Sequence, residues 1–293
     1  MWTGVTARFR TFTGDLLVDQ AEIDDALGKA ERIGRKLQKA YWGTDEGEQK
    51  LLIVGSWGKN TQVRPSHDID IMAILPAEEF HRFDAYSTGK QSALLQDVKN
   101  VLAESYPQTD MRGDGQVVVI DFNSITVEVV PVFKRTDDTF LMPDTRSGGS
   151  WKVVDPLAQI TRVETIDALA SRNSRPLTRM MKLWMRERNV PIKSFLLELI
   201  VAEFMRTYVY KDKTLYWYDW FVRDFLQFLL TLRNGYVILP GTGEYIPLGD
   251  AWVSRAQTAL AAALTACDHE RDDMIVSAGI EWRKIFGDRI PLA

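Results

Sequence analysis

The chain has 293 residues, 45% of them hydrophobic and 26% charged, with a formal net charge of −4 and a pI near 5.6. This is ordinary globular composition, long enough for two lobes or one large domain, and its acidic balance argues against a protein that only coats nucleic acid. The single cysteine, Cys267, excludes an internal disulfide and a cysteine-rich zinc site. No apolar run approaches the ~20 residues needed to span a bilayer, and the first ten residues lack the apolar core of a signal peptide. A soluble cytoplasmic protein without membrane association is expected.

Residues 3–19 are mixed and show no clear period. From Gln20 the pattern changes: Ile23, Ala26, Leu27, Ala30, Ile33, Leu37 and Ala40 recur at three- and four-residue steps. That spacing predicts a long amphipathic helix ending before Gly43. Residues 51–54 read as a short strand end, followed by Gly55-Ser56-Trp57-Gly58-Lys59-Asn60-Thr61. A second strand runs from Asp68-Ile69-Asp70 through Met72 to Leu75, and Pro76 stops it. Residues 78–86 suit a loop or short helix, and residues 91–106 a helix closed by Pro107. Gly113 and Gly115 suggest a turn. Residues 117–122 and 125–130 then form a hairpin around Asn123-Ser124, with Pro131 ending the pair. Residues 140–150 read as a loop and candidate domain boundary, giving a core over 1–150 and a second domain over 151–293. Helical spacing follows over 165–170, 176–188, 194–210, 218–233 and 250–269, interrupted by a long loop over 234–249.

The small residues Gly55, Ser56 and Gly58 let backbone N–H groups approach a phosphate, although Gly-Ser turns are common in any protein. Asp68 and Asp70 lie one residue apart on a strand, so their side chains share a face. They read either as solvated acids on an edge strand or as ligands of a divalent metal. Glu128 sits inside the apolar run from Val127 to Val130 and needs a partner there. A salt bridge to Lys134 or Arg135 would serve, as would a metal shared with the two aspartates. Lys182 lies in a basic helix with Arg179, Arg186 and Arg188, which alone suggests a solvated face. Ser194 is placed to cap a helix, and Phe195 reads as core. The aromatic stretch from Tyr208 to Phe221 reads as packing, His67 as a surface turn residue and Cys267 as a buried thiol.

The Gly55–Thr61 segment with Asp68-Ile69-Asp70 resembles the signature of the DNA polymerase β-like nucleotidyltransferases, most closely the oligoadenylate synthetase and cyclic GMP-AMP synthase branch. Residues 126–131 resemble that branch's third-acid strand, with Glu128 standing where aspartate is usual. Trp151 with Asp155-Pro156, Met181-Lys182-Leu183-Trp184, and Ile192 through Glu198 resemble the helical lobe of bacterial cyclic-oligonucleotide synthases, the CD-NTases. The similarity spans roughly residues 20 to 260. It implies an α+β fold: a mixed sheet with flanking helices and a C-terminal helical lobe, bilobal with the active site in the cleft. It further implies a nucleotidyltransferase making a cyclic di- or trinucleotide second messenger from NTPs for anti-phage (CBASS) defence. Asp68, Asp70 and Glu128 would hold two Mg2+ ions, with Mn2+ an alternative. Gly55, Ser56, Lys182 and Ser194 would meet the nucleotide's triphosphate, and Phe195 would stack on its base. The partners implied are NTP substrates and a defence-operon effector or regulatory protein; stable nucleic-acid binding is not expected. A linear oligoadenylate synthetase, an RNA-tailing transferase and an inactive nucleotide-binding homologue are the alternatives, the last raised by Glu128.

Overall fold

A computed structural model describes residues 2–293. The chain forms two compact units. One gathers residues 2–17, 60–65 and 159–293, and the other residues 18–59 and 66–158. The division therefore does not fall at residue 150. The N-terminal segment belongs with the helices, and residues 140–150 belong with the sheet.

The second of these units is built on a seven-stranded sheet. Its strands are β1 (Leu51–Ile53), β2 (Asp68–Leu75), β3 (Asp110–Asp114), β4 (Val117–Asp121), β5 (Thr126–Lys134), β6 (Phe140–Asp144) and β7 (Ser150–Val154). The order is β1-β2-β5-β4-β3, with β6 paired to the far end of β5 and β7 to β6. Only β2 and β5 run parallel; the other pairings are antiparallel. The expected β4–β5 hairpin is present, but Pro131 does not end it. Pro131 lies mid-strand, opposite Ala73 of β2. On its other side β4 pairs only as far as Val129, and β6 begins at Phe133. Proline lacks an amide donor, and this gap in the ladder requires none.

Two helices cover one face of the sheet. Helix α2 (Gln20–Trp42) starts in a capping box in which the Asp19 side chain accepts from the Glu22 amide at 2.9 Å and the Glu22 side chain accepts from the Asp19 amide at 3.2 Å. It stops at Gly43 in the left-handed region. A single turn, α3 (Gly55–Gly58), follows β1 in the chain, and α4 (Ala77–Asp84) and α5 (Lys90–Ala103) follow β2. Ala26, Ala30, Ile33 and Leu37 of α2 and Leu94, Val98 and Leu102 of α5 bury against Ile69, Ile71, Val127 and Val129. Residues of opposite parity on β2 and β5 point to the other face.

The helical unit holds α1 (Thr3–Asp15), α6 (Pro156–Leu169, entering from the sheet unit), α7 (Ser174–Glu187), α8 (Ser194–Thr207), α9 (Tyr218–Thr231), α10 (Val253–Arg271) and α11 (Ile275–Phe286). Helix α1 fills the segment without a clear period, burying Val5, Phe9, Phe12 and Leu16 completely. Within the expected long loop lies a hairpin of β8 (Tyr236–Ile238) and β9 (Tyr245–Pro247). The aromatic stretch is packing, as expected: Tyr208 stacks on Phe204, and Tyr210 on Trp217. No helix among the described residues is long and apolar enough to cross a membrane.

Candidate active site

Strand β2 carries Asp68 and Asp70 on the sheet face opposite the α2 and α5 core, because Ile69 and Ile71 take the core side. The parallel register sets Asp70 directly beside Glu128 and Asp68 beside Thr126. Across β4 the same row continues from Glu128 through Val119 to Arg112 of β3. Sheet partners share a face, so Asp70, Glu128 and Arg112 form one line, flanked on β3 by Asp110 and Asp114.

The Gly-Ser turn is fixed against this line. The Val54 amide donates to the Asp70 carbonyl at 3.0 Å, bringing Gly55 beside the aspartate. Gly55 has φ +58, and a Cβ built on it would lie 1.8 Å from Asp70 Oδ2. Only glycine meets both demands. Trp57, buried in the turn, donates its Nε1–H to the Asp68 carbonyl at 2.7 Å and to Ser66 Oγ at 3.2 Å. Trp57 thereby fixes the backbone that presents Asp68. Sequence reading assigned it no role, though an aromatic set between glycines was the available signal.

Glu128 is half-buried. Burial is the largest influence on its carboxyl; the charges of Asp70, Asp68 and Asp114 act in the same sense and Arg112 opposes them, so that its pKa is pushed up to about 7. A salt bridge to Lys134 or Arg135 does not form. Lys134 pairs with Asp138 and Arg135 with Asp137. Arg112 is itself paired with Asp121. Among the described residues no three His, Cys, Asp or Glu side chains stand together as a preformed metal-ligand group. The three carboxylates share a face, and Asp70 and Glu128 a register, rather than a common point. His67 is exposed, as expected, and its carbonyl extends the ladder by accepting from Thr126 N at 2.9 Å.

In the helical unit, the basic residues of α7 do not form a solvated face. Arg179 and Lys182 are buried, and with Arg186 they donate to carbonyl oxygens of the segment 60–65. Arg179 reaches the Asn60 carbonyl at 2.7 Å and that of Gln62 at 3.1 Å. Its pKa is brought down to about 10 by burial, then by Arg175. Lys182 Nζ meets Thr61 O and Oγ1, each at 3.2 Å, and forms an ion pair with Glu198 of α8. Thr61 Oγ1 also donates to Glu198 at 2.6 Å. A lone buried lysine is costly, and the Glu198–Thr61 set supplies what burial removes. Ser194 is the first residue of α8 rather than its N-cap; Lys193 holds that place and makes no side-chain cap bond. Ser194 is exposed, whereas Phe195 is half-buried against the helical core.

Residues 4–166 match the family described as the Second Messenger Oligonucleotide or Dinucleotide Synthetase (SMODS) domain. A probable cyclic nucleotide synthase of Bacillus cereus (strain VD146) is 21% identical over 304 aligned positions, covering 89% of this chain and 86% of that protein. Two solved structures share the fold. CdnC of E. coli MS115-1 with ATP has a TM-score of 0.71 at 17% identity, covering 99% of this chain and 100% of that one. The CD-NTase CdnG of Bradyrhizobium diazoefficiens with GTP also has a TM-score of 0.71, at 12% identity, covering 98% and 96%. An acidic row on a mixed sheet, a glycine turn locked onto it and a family match across more than half the chain place this protein in the SMODS family, as a nucleotidyltransferase of the bacterial CD-NTase type.

Proposed function

We propose that the enzyme joins nucleoside triphosphates into a cyclic di- or trinucleotide second messenger, in a bacterial anti-phage (CBASS) setting. The observation that carries this reading is the placement of Asp70 beside Glu128 on the parallel β2–β5 pair, with Gly55 pressed against Asp70. Asp68, Asp70 and Glu128 offer only carboxylate oxygens, the donor type that hard Mg2+ or Mn2+ ions take. Bound there, the two cations would supply charge stabilisation and activation of the attacking hydroxyl. The protein's own part is positional. Trp57 fixes the Asp68 backbone, and Gly55 leaves room for the Asp70 carboxylate. Glu128 must give up its proton before it can act as a ligand.

Gly55 and Ser56 are assigned to the triphosphate, as are Ser194 and Lys182, and Phe195 to the base. Lys182 takes its role only if phosphate oxygens share it with Glu198. ATP and GTP, found with CdnC and CdnG, support nucleoside triphosphates as the substrate class. The test is incubation of the purified protein with the four NTPs and Mg2+, with products resolved by mass spectrometry. Phosphatase-resistant cyclic product with wild type and none with Asp70→Asn is expected. Linear product alone would favour an oligoadenylate synthetase or tailing enzyme. No pyrophosphate with Mg2+ or Mn2+ would favour an inactive nucleotide-binding homologue.

A further inference from the structure

The helical unit contains a cavity of about 380 Å3 where the end of α7 meets α10 and α11. Its lining includes Arg188, Arg255 and Lys284 and not one carboxylate. Lys284 is neutralised by Glu281 from outside that lining, at 2.6 Å. The two arginines have no ion-pair partner among the described residues. Arg188 donates to the carbonyls of Arg283 at 2.6 Å and Ile285 at 3.2 Å, and Arg255 donates through Nε to the Arg188 carbonyl at 3.1 Å. Two guanidinium charges are therefore held by neutral acceptors beside one cavity.

Three further features have the same polarity. Helix α10, 19 residues long, begins here; its N-cap Trp252 makes no side-chain bond to the helix start, and its first turn carries no acid. The first amide, of Val253, donates to the Asp250 carbonyl at 3.0 Å; the amides that follow it in the first turn and the helix dipole favour an anion. Ser254 adds a hydroxyl to the lining, whereas that of Thr258 already donates to the Ser254 carbonyl at 3.0 Å. Trp184 also lines the cavity. It is fully buried, and its Nε1–H finds no acceptor among the described residues. Buried indole donors normally have a partner. One buried indole donor without an acceptor and two guanidinium charges without a counter-charge, around a volume within the roughly 300–1,000 Å3 range of ligand pockets, describe a phosphate site.

We infer that this cavity binds the phosphate group of a small phosphorylated molecule, through residues none of which belongs to the carboxylate row or to the Lys182 set. The inference does not depend on the product assigned to the enzyme. The test uses full-length protein with 15N-labelled tryptophan, titrated with inorganic pyrophosphate without divalent cations. The readout is the Trp184 indole resonance, assigned with Trp184→Phe. A saturable shift is expected, weakened at least tenfold by the exposed substitution Arg255→Gln and unchanged by Asp70→Asn. Parallel arms with ATP and adenosine separate the sources. ATP binding more tightly than pyrophosphate identifies a nucleotide, and equal affinity identifies the phosphate group alone. The inference is overturned if the Trp184 resonance does not move saturably, if Arg255→Gln titrates like wild type, if chloride at matched ionic strength gives the same shift, or if adenosine alone does.

Discussion

Replacing Gly55 by alanine separates two costs that glycine avoids here. The first is conformational. At φ +58 an alanine sits in the left-handed region at about 1–2 kcal/mol, partly offset by the lower entropy of its unfolded chain. The second is steric and local. The new Cβ would lie 1.8 Å from Asp70 Oδ2, 2.7 Å from Cγ and 3.0 Å from Cβ. The carboxylate end could rotate away, but the Asp70 Cβ is tied to β2, so β1 and the turn must also yield. Either movement takes Asp70 out of line with Glu128. Gly89→Ala isolates the first cost, because Gly89 has φ +65 and nothing within 4 Å of its Cβ position. Gly89→Ala should lose about 1 kcal/mol in urea unfolding and keep its turnover. Gly55→Ala should lose a further ~1–3 kcal/mol from overpacking. Its pyrophosphate release should fall roughly 100-fold, the usual consequence of a catalytic group displaced by about 1 Å. Gly55→Ala matching Gly89→Ala in both stability and rate would refute the reasoning, because it would mean the Asp70 contact constrains nothing.

Three other outcomes follow from named contacts. The folded pKa of Glu128, about 7, lies above its ordinary 4.5, so the folded state holds this proton longer and stability is lost as pH rises between those values. Glu128→Gln should therefore gain stability relative to wild type at pH 8 but not at pH 4.5, and equal offsets in urea unfolding at the two pH values would contradict the assignment. Lys182→Met takes from Glu198, which is 2% exposed, its lysine counter-charge and should cost about 3–5 kcal/mol in the same assay, with Lys182→Met/Glu198→Leu recovering most of it; a double variant no better than the single would mean the pair is not the source of the loss. The Cys267 thiol is buried, and that burial, followed by the charge of Asp219, pushes its pKa well above the usual thiol range. It should stay unmodified by a thiol reagent in the native protein and react on unfolding, whereas rapid native-state labelling would show the helical core to be open.

Local patterns were legible and long-range partners were not. The alternation around Asp68 and Asp70 and the capped stripe of α2 depend on neighbours a few residues away, so the sequence displays them directly. The stripe Val5, Phe9, Phe12, Leu16 was also there to be read, at steps of four, three and four. It was masked by Arg8, which looks like a break but is buried with the stripe and donates to Ile275 O at 2.6 Å. Lys182 shows the harder limit. A basic residue at helical spacing looks the same whether it faces water or grips the carbonyl and hydroxyl of a threonine more than a hundred positions earlier.

Glu128 joins the two kinds of information. Its place in an apolar strand marked it as an acid in need of a partner, but its charge state depends on which strands flank β5. Gly113 and Gly115 suggested a turn, since glycine is the usual sign of one. A turn does form at Gly115-Gln116, with Gly115 at φ +60, but residues 110–114 before it form β3, with Gly113 opposite Val118, and β3 turns Asp110, Arg112 and Asp114 toward the face that Glu128 shares. Asp114 pushes the Glu128 carboxyl toward its protonated form, and Arg112 opposes it with a charge already committed to Asp121. The remaining like-charge pressure comes from Asp70 and Asp68, which reach Glu128 only because β2 pairs with β5 in parallel. Burial remains the largest influence on Glu128, and the sheet order β2-β5-β4-β3 adds to it by setting like charge on both sides of β5. Adding a cation to β3 at Asp114, as in Asp114→Lys, leaves the burial of Glu128 in place and should lower its pKa only in part, read as a smaller difference between the Glu128→Gln stability offsets at pH 8 and pH 4.5 in urea unfolding; an unchanged difference would mean that β3 exerts no charge on Glu128.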